Sequence, residues 1–342
     1  MRLSLFLVPA SLTLAAAEDD PNSPQALLEA GVQLQKQGKY DEAIRTLERA
    51  RATATDGALA AEVRVEIGET YFRKGKDAAE GHLEGVDHEK ALRQAAKVYE
   101  EVVDRYPKEK ERAAHSAYMI GSSHLLLGDM QKAYDAYRRA YIKYPGSKMQ
   151  PRALVRLGVT LTGLGDSRKA IRIFQAFLEQ YPEDVNAAKK VRRYINQVLL
   201  VGAPAPDLRV TRWLNGTVRR GLKDLRGEVV VLVFFGTWCS KCTKELPHLK
   251  REMAHWRDRG VVFLGVADPD DEKVREPVEF YVKRNRVNFL DVALDSGGRN
   301  WKPYRVTGLP AAVVIDRRGA VRWRGHFAFI GRTLLEKLVR EN

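Results

Sequence analysis

The sequence predicts an all-α solenoid of stacked helix pairs followed by an α/β sandwich with a mixed sheet. Three observations carry this. Tyr-Pro recurs at Tyr106-Pro107, Tyr144-Pro145 and Tyr181-Pro182, in steps of 38 and 37 residues, and a fixed period of that size marks a stacked helical array. The stretch "LLVGAPAPDL", residues 199–208, ends that pattern with Gly202, Pro204 and Pro206, which break any helix. Beyond it, continuous apolar runs alternate with helical segments and then pair with each other. A chain of 342 residues also suits two domains better than one. Its content of 44% hydrophobic and 30% charged residues excludes a disordered chain.

Residues 1–17 read as a cleaved secretory signal. Arg2 gives a positive start, Leu3 to Leu14 is an apolar run too short to span a bilayer, and Ala15-Ala16-Ala17 supplies small residues for cleavage before Glu18. The expected location is outside the cytoplasm, in the periplasm or cell envelope, where disulfides persist and nucleic acid is not a partner. The net charge of +14 is uneven: residues 18–200 hold 30 Lys+Arg against 27 Asp+Glu, and residues 201–342 hold 27 against 17. A basic surface favours acidic partners or simply solubility.

The solenoid is justified unit by unit. Aligned on the prolines, Gly121 matches Gly158, Gly128 matches Gly165, Ala133 matches Ala170, Tyr137 matches Phe174, and Ala140 matches Phe177. The frame extends back to Gly31, Gly38, Ala43 and Leu47, and to Gly68, Gly75, Ala95 and Tyr99, with an insertion in the second unit. Small residues let two helices cross closely, large ones fill the space between, and proline ends the second helix. One such unit cannot bury its apolar face alone, so units stack. The pattern resembles the tetratricopeptide repeat family over residues 24–182, with 183–200 as a capping helix. The domain is placed at 24–198 and a linker at 199–207. The resemblance implies a groove that docks a protein partner. His82 and His88, in the polar insertion, read as solvated.

In residues 208–342, "LRVTRWLNGTVRR" reads as a hairpin turning at Asn215-Gly216. "EVVVLVFF" and "VVFLGVA" read as strands buried on both faces. "TKELPHLKREMAHWRDRG" reads as a helix, residues 272–286 as a second, "AAVVIDRRGAVRWRG" as a strand pair turning at Arg318-Gly319, and "GRTLLEKLVRE" as a closing helix. The acid run Asp268, Asp270, Asp271 and Glu272 is expected in a loop.

The chain has two cysteines, Cys239 and Cys242, in "TWCSKC". A metal site usually needs four ligands, and no second pair accompanies them. A staple closing so short a loop adds little stability. At the junction of a buried strand and a helix, the pair reads as a redox couple. A helix N-terminus stabilises a thiolate, which favours Cys239 as the activated sulfur, with Lys241 adding positive charge and Cys242 more buried. No metal and no organic cofactor is expected; the redox group is the Cys239–Cys242 disulfide itself.

"WCSKC", Pro247 and "GLP" at Gly308-Leu309-Pro310 resemble the thioredoxin fold. "GAPAPDL", Glu245, the extra segment between 272 and 305, and "YRVTGLPAAVVIDRRG" are similar to exported TlpA/ResA-like thiol-disulfide oxidoreductases over about residues 202–342. The resemblance implies that Cys239 attacks, Cys242 resolves, and Pro310 follows a cis bond. It implies that the Leu309 backbone pairs with the substrate chain, that Trp238 packs beside the site, and that Glu245 is the acidic residue near the pair. Glu245 could accept the proton that Cys242 loses. Val233, six residues before the first cysteine, offers no carboxylate where many thioredoxin-like proteins have a polar or acidic residue. Ser240-Lys241 assigns no subclass, so the direction of electron flow stays open.

The expected function is disulfide reduction by an exported oxidoreductase with a repeat module that docks a protein. The expected partners are protein disulfides, among them those of apo-cytochrome c or other envelope proteins, together with an upstream thiol electron donor. The alternatives are a scaffold whose repeats are the function and a disulfide-forming oxidant.

Overall fold

The computed structural model describes residues 20–55, 57–216, 221–268, 276–295 and 297–341. The signal-like segment and Asp270, Asp271 and Glu272 lie outside the described residues. The first domain is nine α-helices among those residues: α1 (Pro24–Lys36), α2 (Tyr40–Thr53), α3 (Gly57–Ala79), α4 (His88–Arg105), α5 (Lys110–Leu126), α6 (Met130–Lys143), α7 (Gln150–Gly163), α8 (Ser167–Gln180) and α9 (Val185–Val198). Caps start several of them: Asp87, Asp166 and Asp184 accept hydrogen bonds from Lys90, Lys169 and Ala187 backbone amides, satisfying amides that a helix start leaves open.

The repeat shows in the packing. Gly38, Gly128 and Gly165 occupy the turn inside three helix pairs with φ of 76°, 77° and 82°, a backbone that favours glycine. Gly31, Gly68, Gly121 and Gly158 each face the large residue of the next helix, Leu47, Tyr99, Tyr137 and Phe174, all fully buried. The insertion in the second unit lengthens α3 to Ala79 and adds a turn before α4. Among the described residues no helix is long and apolar enough to cross a membrane.

The second domain is a six-stranded sheet in the order β1-β4-β3-β2-β5-β6, with β1 (Arg212–Leu214), β2 (Val229–Phe234), β3 (Val261–Ala267), β4 (Asp291–Leu294), β5 (Ala311–Ile315) and β6 (Val321–Gly325). β2, β3 and β4 run parallel, and β1, β5 and β6 are antiparallel to their neighbours. α10 (Ser240–Trp256), α11 (Val278–Arg284) and α12 (Arg332–Arg340) cover one face, against Val229, Val231 and Val233. The opposite face, with Val230, Leu232 and Phe234, is covered by Leu200, Leu208, Leu222 and Tyr304, mainly from irregular segments.

β1 pairs with β4, Trp213 opposite Ala293; residues 217–220, the second arm of the hairpin read at Asn215-Gly216, lie outside the described residues. The helix read over residues 272–286 is corrected at its start: it begins at Val278, behind Pro277, because the residue before a proline is pushed out of the helical region. The junction lies against the sheet domain: Gly202 and Ala205 donate to the carbonyls of Val321 and Gly319, and Val321 donates back to Ala203.

The two domains pack directly. Phe329, in the turn after β6, belongs to the apolar contacts of both the last repeats and the sheet domain. The Arg156 guanidinium of α7 lies 5.6 Å from the centre of its ring. Arg251 donates to the Ala79 carbonyl (3.0 Å) and Arg305 to Asn196 (2.5 Å). A Cβ added at Gly81 would lie 3.1 Å from Pro247.

Candidate functional site

The site grows from the end of β2. Six consecutive buried residues, Val229–Phe234, lock that strand in the middle of the sheet, so the turn after it is held from below. Cys239 is the N-cap of α10, and its sulfur accepts a hydrogen bond from the Cys242 amide at 3.1 Å. The two cysteines are joined as a disulfide and both are buried, at 6% and 4% exposure. An N-cap sulfur faces the open amides and positive end of the helix, which stabilise it as a thiolate once the bond is reduced.

Trp238 and Leu309 flank Gly236: a Cβ added there would lie 3.0 Å from the Trp238 ring and 3.2 Å from Leu309. The Leu309–Pro310 bond is cis. Pro310 lines a cavity of about 20 Å³ with Val233, Cys242, Glu245, Leu246 and Phe327, too small for any ligand beyond a water. The structure thus brings Cys242, Glu245 and Pro310 to one cavity and sets Trp238 and Leu309 beside the same loop. Thr243 shares a 3.0 Å hydrogen bond with the Tyr281 hydroxyl, fixing α10 against α11.

Two residues at the site escaped the sequence reading. His326 Nε2 lies 3.0 Å from Oε1 of Glu245. Arg324, 3% exposed, donates to the Tyr304 and Arg305 carbonyls at 3.3 and 2.7 Å, and so ties down the segment that leads to Pro310. Burial lowers its guanidinium to about 10. Both residues end an arginine-rich edge strand, where sequence alone suggests solvent.

Glu245 and His326 also line a second cavity, of about 260 Å³, between the domains. The repeat domain contributes Ala79, His88 and Leu125 to its wall. His88, expected in solvent, is half-buried, and burial lowers its imidazole. His248, whose ring centre lies 5.2 Å from that of Phe327, is lowered to about 4, again by burial first. Glu80 of that cavity also places a ligand atom within 4.8 Å of those of Asp77 and His82.

Compared with known proteins, residues 201–324 match the AhpC/TSA family. Residues 28–83, 86–148 and 152–184 match tetratricopeptide repeat models. The chain is thus similar to an AhpC/TSA-family domain over residues 201–324 and to tetratricopeptide repeats over the matched segments before it. Thiol-disulfide oxidoreductase ResA of Bacillus thuringiensis subsp. konkukian is 35% identical over 121 residues, which are 35% of this chain and 66% of that protein. Protein DipZ of Mycobacterium bovis is 33% identical over 149 residues, 40% of this chain and 21% of that protein. The chain therefore spans just under two thirds of the ResA relative. Among solved structures, a thiol:disulfide interchange protein of Chlorobium tepidum is 23% identical over 40% of this chain and 96% of its own, with a TM-score of 0.34.

Proposed function

We propose that the TlpA/ResA-like domain is a thiol-disulfide oxidoreductase that reduces protein disulfides outside the cytoplasm, and that the tetratricopeptide array places its partners. The observation that carries this is Cys239 at the N-cap of α10, disulfide-bonded to a buried Cys242, with Pro310 and Glu245 on the same cavity. In the reduced protein, the Cys239 thiolate attacks one sulfur of a substrate disulfide. The other substrate sulfur leaves, and a mixed disulfide forms. Cys242 loses its proton and attacks Cys239; the substrate thiolate departs and the Cys239–Cys242 bond re-forms. The substrate gains two electrons and an external thiol donor restores the pair.

Glu245 takes the Cys242 proton. Trp238 and the Leu309 backbone form the rim on which a substrate chain lies. Disulfides of apo-cytochrome c or other envelope proteins suit such a site. The array already contacts its own redox domain, which supports a role in fixing where a bound partner meets Cys239, by raising its effective concentration.

The experiment is the reduction potential of the Cys239–Cys242 pair, measured by equilibration with dithiol buffers. A value near that of thioredoxin, about −270 mV, is expected; one near about −120 mV would make the protein an oxidant. A pair that does not exchange at all ends the oxidoreductase reading.

A further inference from the structure

We propose that His326 is a positioning residue for the resolving step: it holds Glu245 by one carboxylate oxygen and so leaves the other for the proton of Cys242. This rests on the oxidoreductase reading above.

The geometry gives the reason. Among the described residues, Glu245 alone lines both the small cavity beside Cys242 and the large one between the domains. On the interdomain side its Oε1 meets His326 Nε2 at 3.0 Å. Its Oε2 is buried and has no hydrogen-bond partner. A buried carboxylate oxygen without a donor is costly, about 1–3 kcal/mol or more, and such an atom calls for an explanation. A proton acceptor that must stay free until a thiol proton arrives is one. The carboxylate cannot turn its free oxygen away without breaking the contact to His326.

His326 is itself held from behind. Its ring lies against Phe329, centres 5.2 Å apart, and Phe329 lies against Arg156 of the repeat domain. Contacts therefore run unbroken from α7 through Phe329 and His326 to Glu245, beside Cys242. The His326 Nδ1 is buried without a hydrogen-bond partner.

In the step itself, the Cys242 thiol gives its proton to Oε2 of Glu245. A sulfur–sulfur bond forms between Cys242 and Cys239, the bond from Cys239 to the substrate breaks, and the substrate sulfur leaves as thiolate. The cysteine pair loses two electrons and the substrate gains them. His326 keeps its place on Oε1 throughout.

The charged groups around the cavity set the background. From the repeat domain they are Lys76, Glu80, His88 and Glu89. α10 adds Lys244, His248, Arg251 and Glu252, and α12 adds Arg332. Glu252 is paired with Arg332 at 2.7 Å, and Glu80 lies 3.7 Å from Lys76. His326 is the group in contact with Glu245, so its removal leaves a carboxylate whose buried Oε2 has no partner and whose Oε1 has lost its own; loss of a donor beside a carboxylate favours the protonated form.

The test mixes the reduced full chain with one equivalent of dithiobis-nitrobenzoate and follows thionitrobenzoate release by stopped flow across a pH series. The first phase is attack by Cys239 and the second is resolution by Cys242. His326→Ala is expected to slow the second phase roughly tenfold near neutral pH and to move its acid limb up by about one pH unit, with the first phase within about twofold. His326→Gln keeps an N–H donor and is expected to restore the second phase to within about threefold of the unmodified protein. Glu245→Gln should slow the second phase as much, and adding His326→Ala to it should change nothing more, as for two residues acting through one atom. An unshifted second phase in His326→Ala, equal slowing of both phases, or independent effects of the two substitutions would overturn the proposal. Absence of the first phase in the unmodified protein would instead sink the oxidoreductase reading beneath it.

Discussion

At the scale of single residues, the two cysteines differ in what surrounds them. Cys239 accepts from a helix amide, and Cys242 lines a small apolar cavity with Val233, Leu246 and Phe327. Cys242→Ser should therefore stop the reaction at the mixed disulfide, recoverable as a covalent adduct with a disulfide-bonded protein on a non-reducing gel. Cys239→Ser should give no adduct; an adduct formed through Cys242 would reverse the assigned roles. The cysteine pair was legible from its spacing at a strand-to-helix junction, whereas Glu245, Leu309 and Pro310 were named through the resemblance alone. Arg324 was not legible, because both faces of β6 are covered: Trp323, opposite Val314, packs on one face, and Arg324, opposite Val313, lies on the other, under Tyr304. The bulge that leaves Arg322 as an extra residue puts Val321 on the Arg324 face as well. Arg324→Lys keeps the charge but not the planar fork that spans two carbonyls. It should lower stability by about 1–3 kcal/mol in denaturant melts; an unchanged midpoint would mean that those hydrogen bonds contribute nothing.

At the scale of elements, the repeat is a statement about volume. Each helix pair crosses where a glycine meets a large residue, and a Cβ added at Gly121 would lie 2.7 Å from the Tyr137 ring. Alanine is the better helix former by about 1 kcal/mol, so an exposed glycine here would gain from the change. Overpacking a full core costs about 1–3 kcal/mol, and Tyr137 has no room to retreat, being fully buried and in contact with Tyr118 at 5.2 Å between ring centres. Gly121→Ala should therefore lower the midpoint of the helical domain, and Tyr137→Leu in the same chain should recover part of the loss. A rise in stability for the single variant would show that the helices can separate. The period made this legible, because a spacing of glycine and aromatic residues is written directly in the sequence. β1 was illegible for the opposite reason. Three residues carry too little pattern to name a partner, and that partner, Ala293, lies far along the chain.

At the scale of the molecule, the contact between the domains was invisible in the sequence, because it joins residues that share no periodicity: Ala79 with Arg251, Asn196 with Arg305, Arg156 with Phe329. It half-buries His88 and His248, and that gives the fold an acid limit. Burial lowers His88 and takes His248 to about 4, and burial inside the repeat domain lowers His115 and His124. An unfolded histidine titrates near 6.5. Between about 4 and 6.5 the unfolded chain therefore binds a proton that folded His248 refuses, so stability falls as pH falls through that window and is flat above it. Glu66 and Asp295, raised by burial, act in the opposite sense in the carboxylate range. For His248 alone the full effect is at most about 3.5 kcal/mol. After burial, Glu252 favours the proton, while Arg251, Arg332 and His88 disfavour it. Urea melts at successive pH values should show the loss, and His248→Phe, which keeps a ring against Phe327, should flatten the slope by up to about 1.4 kcal/mol per pH unit. An unaltered slope in that variant would move the acid limit to the other buried histidines and away from the domain boundary.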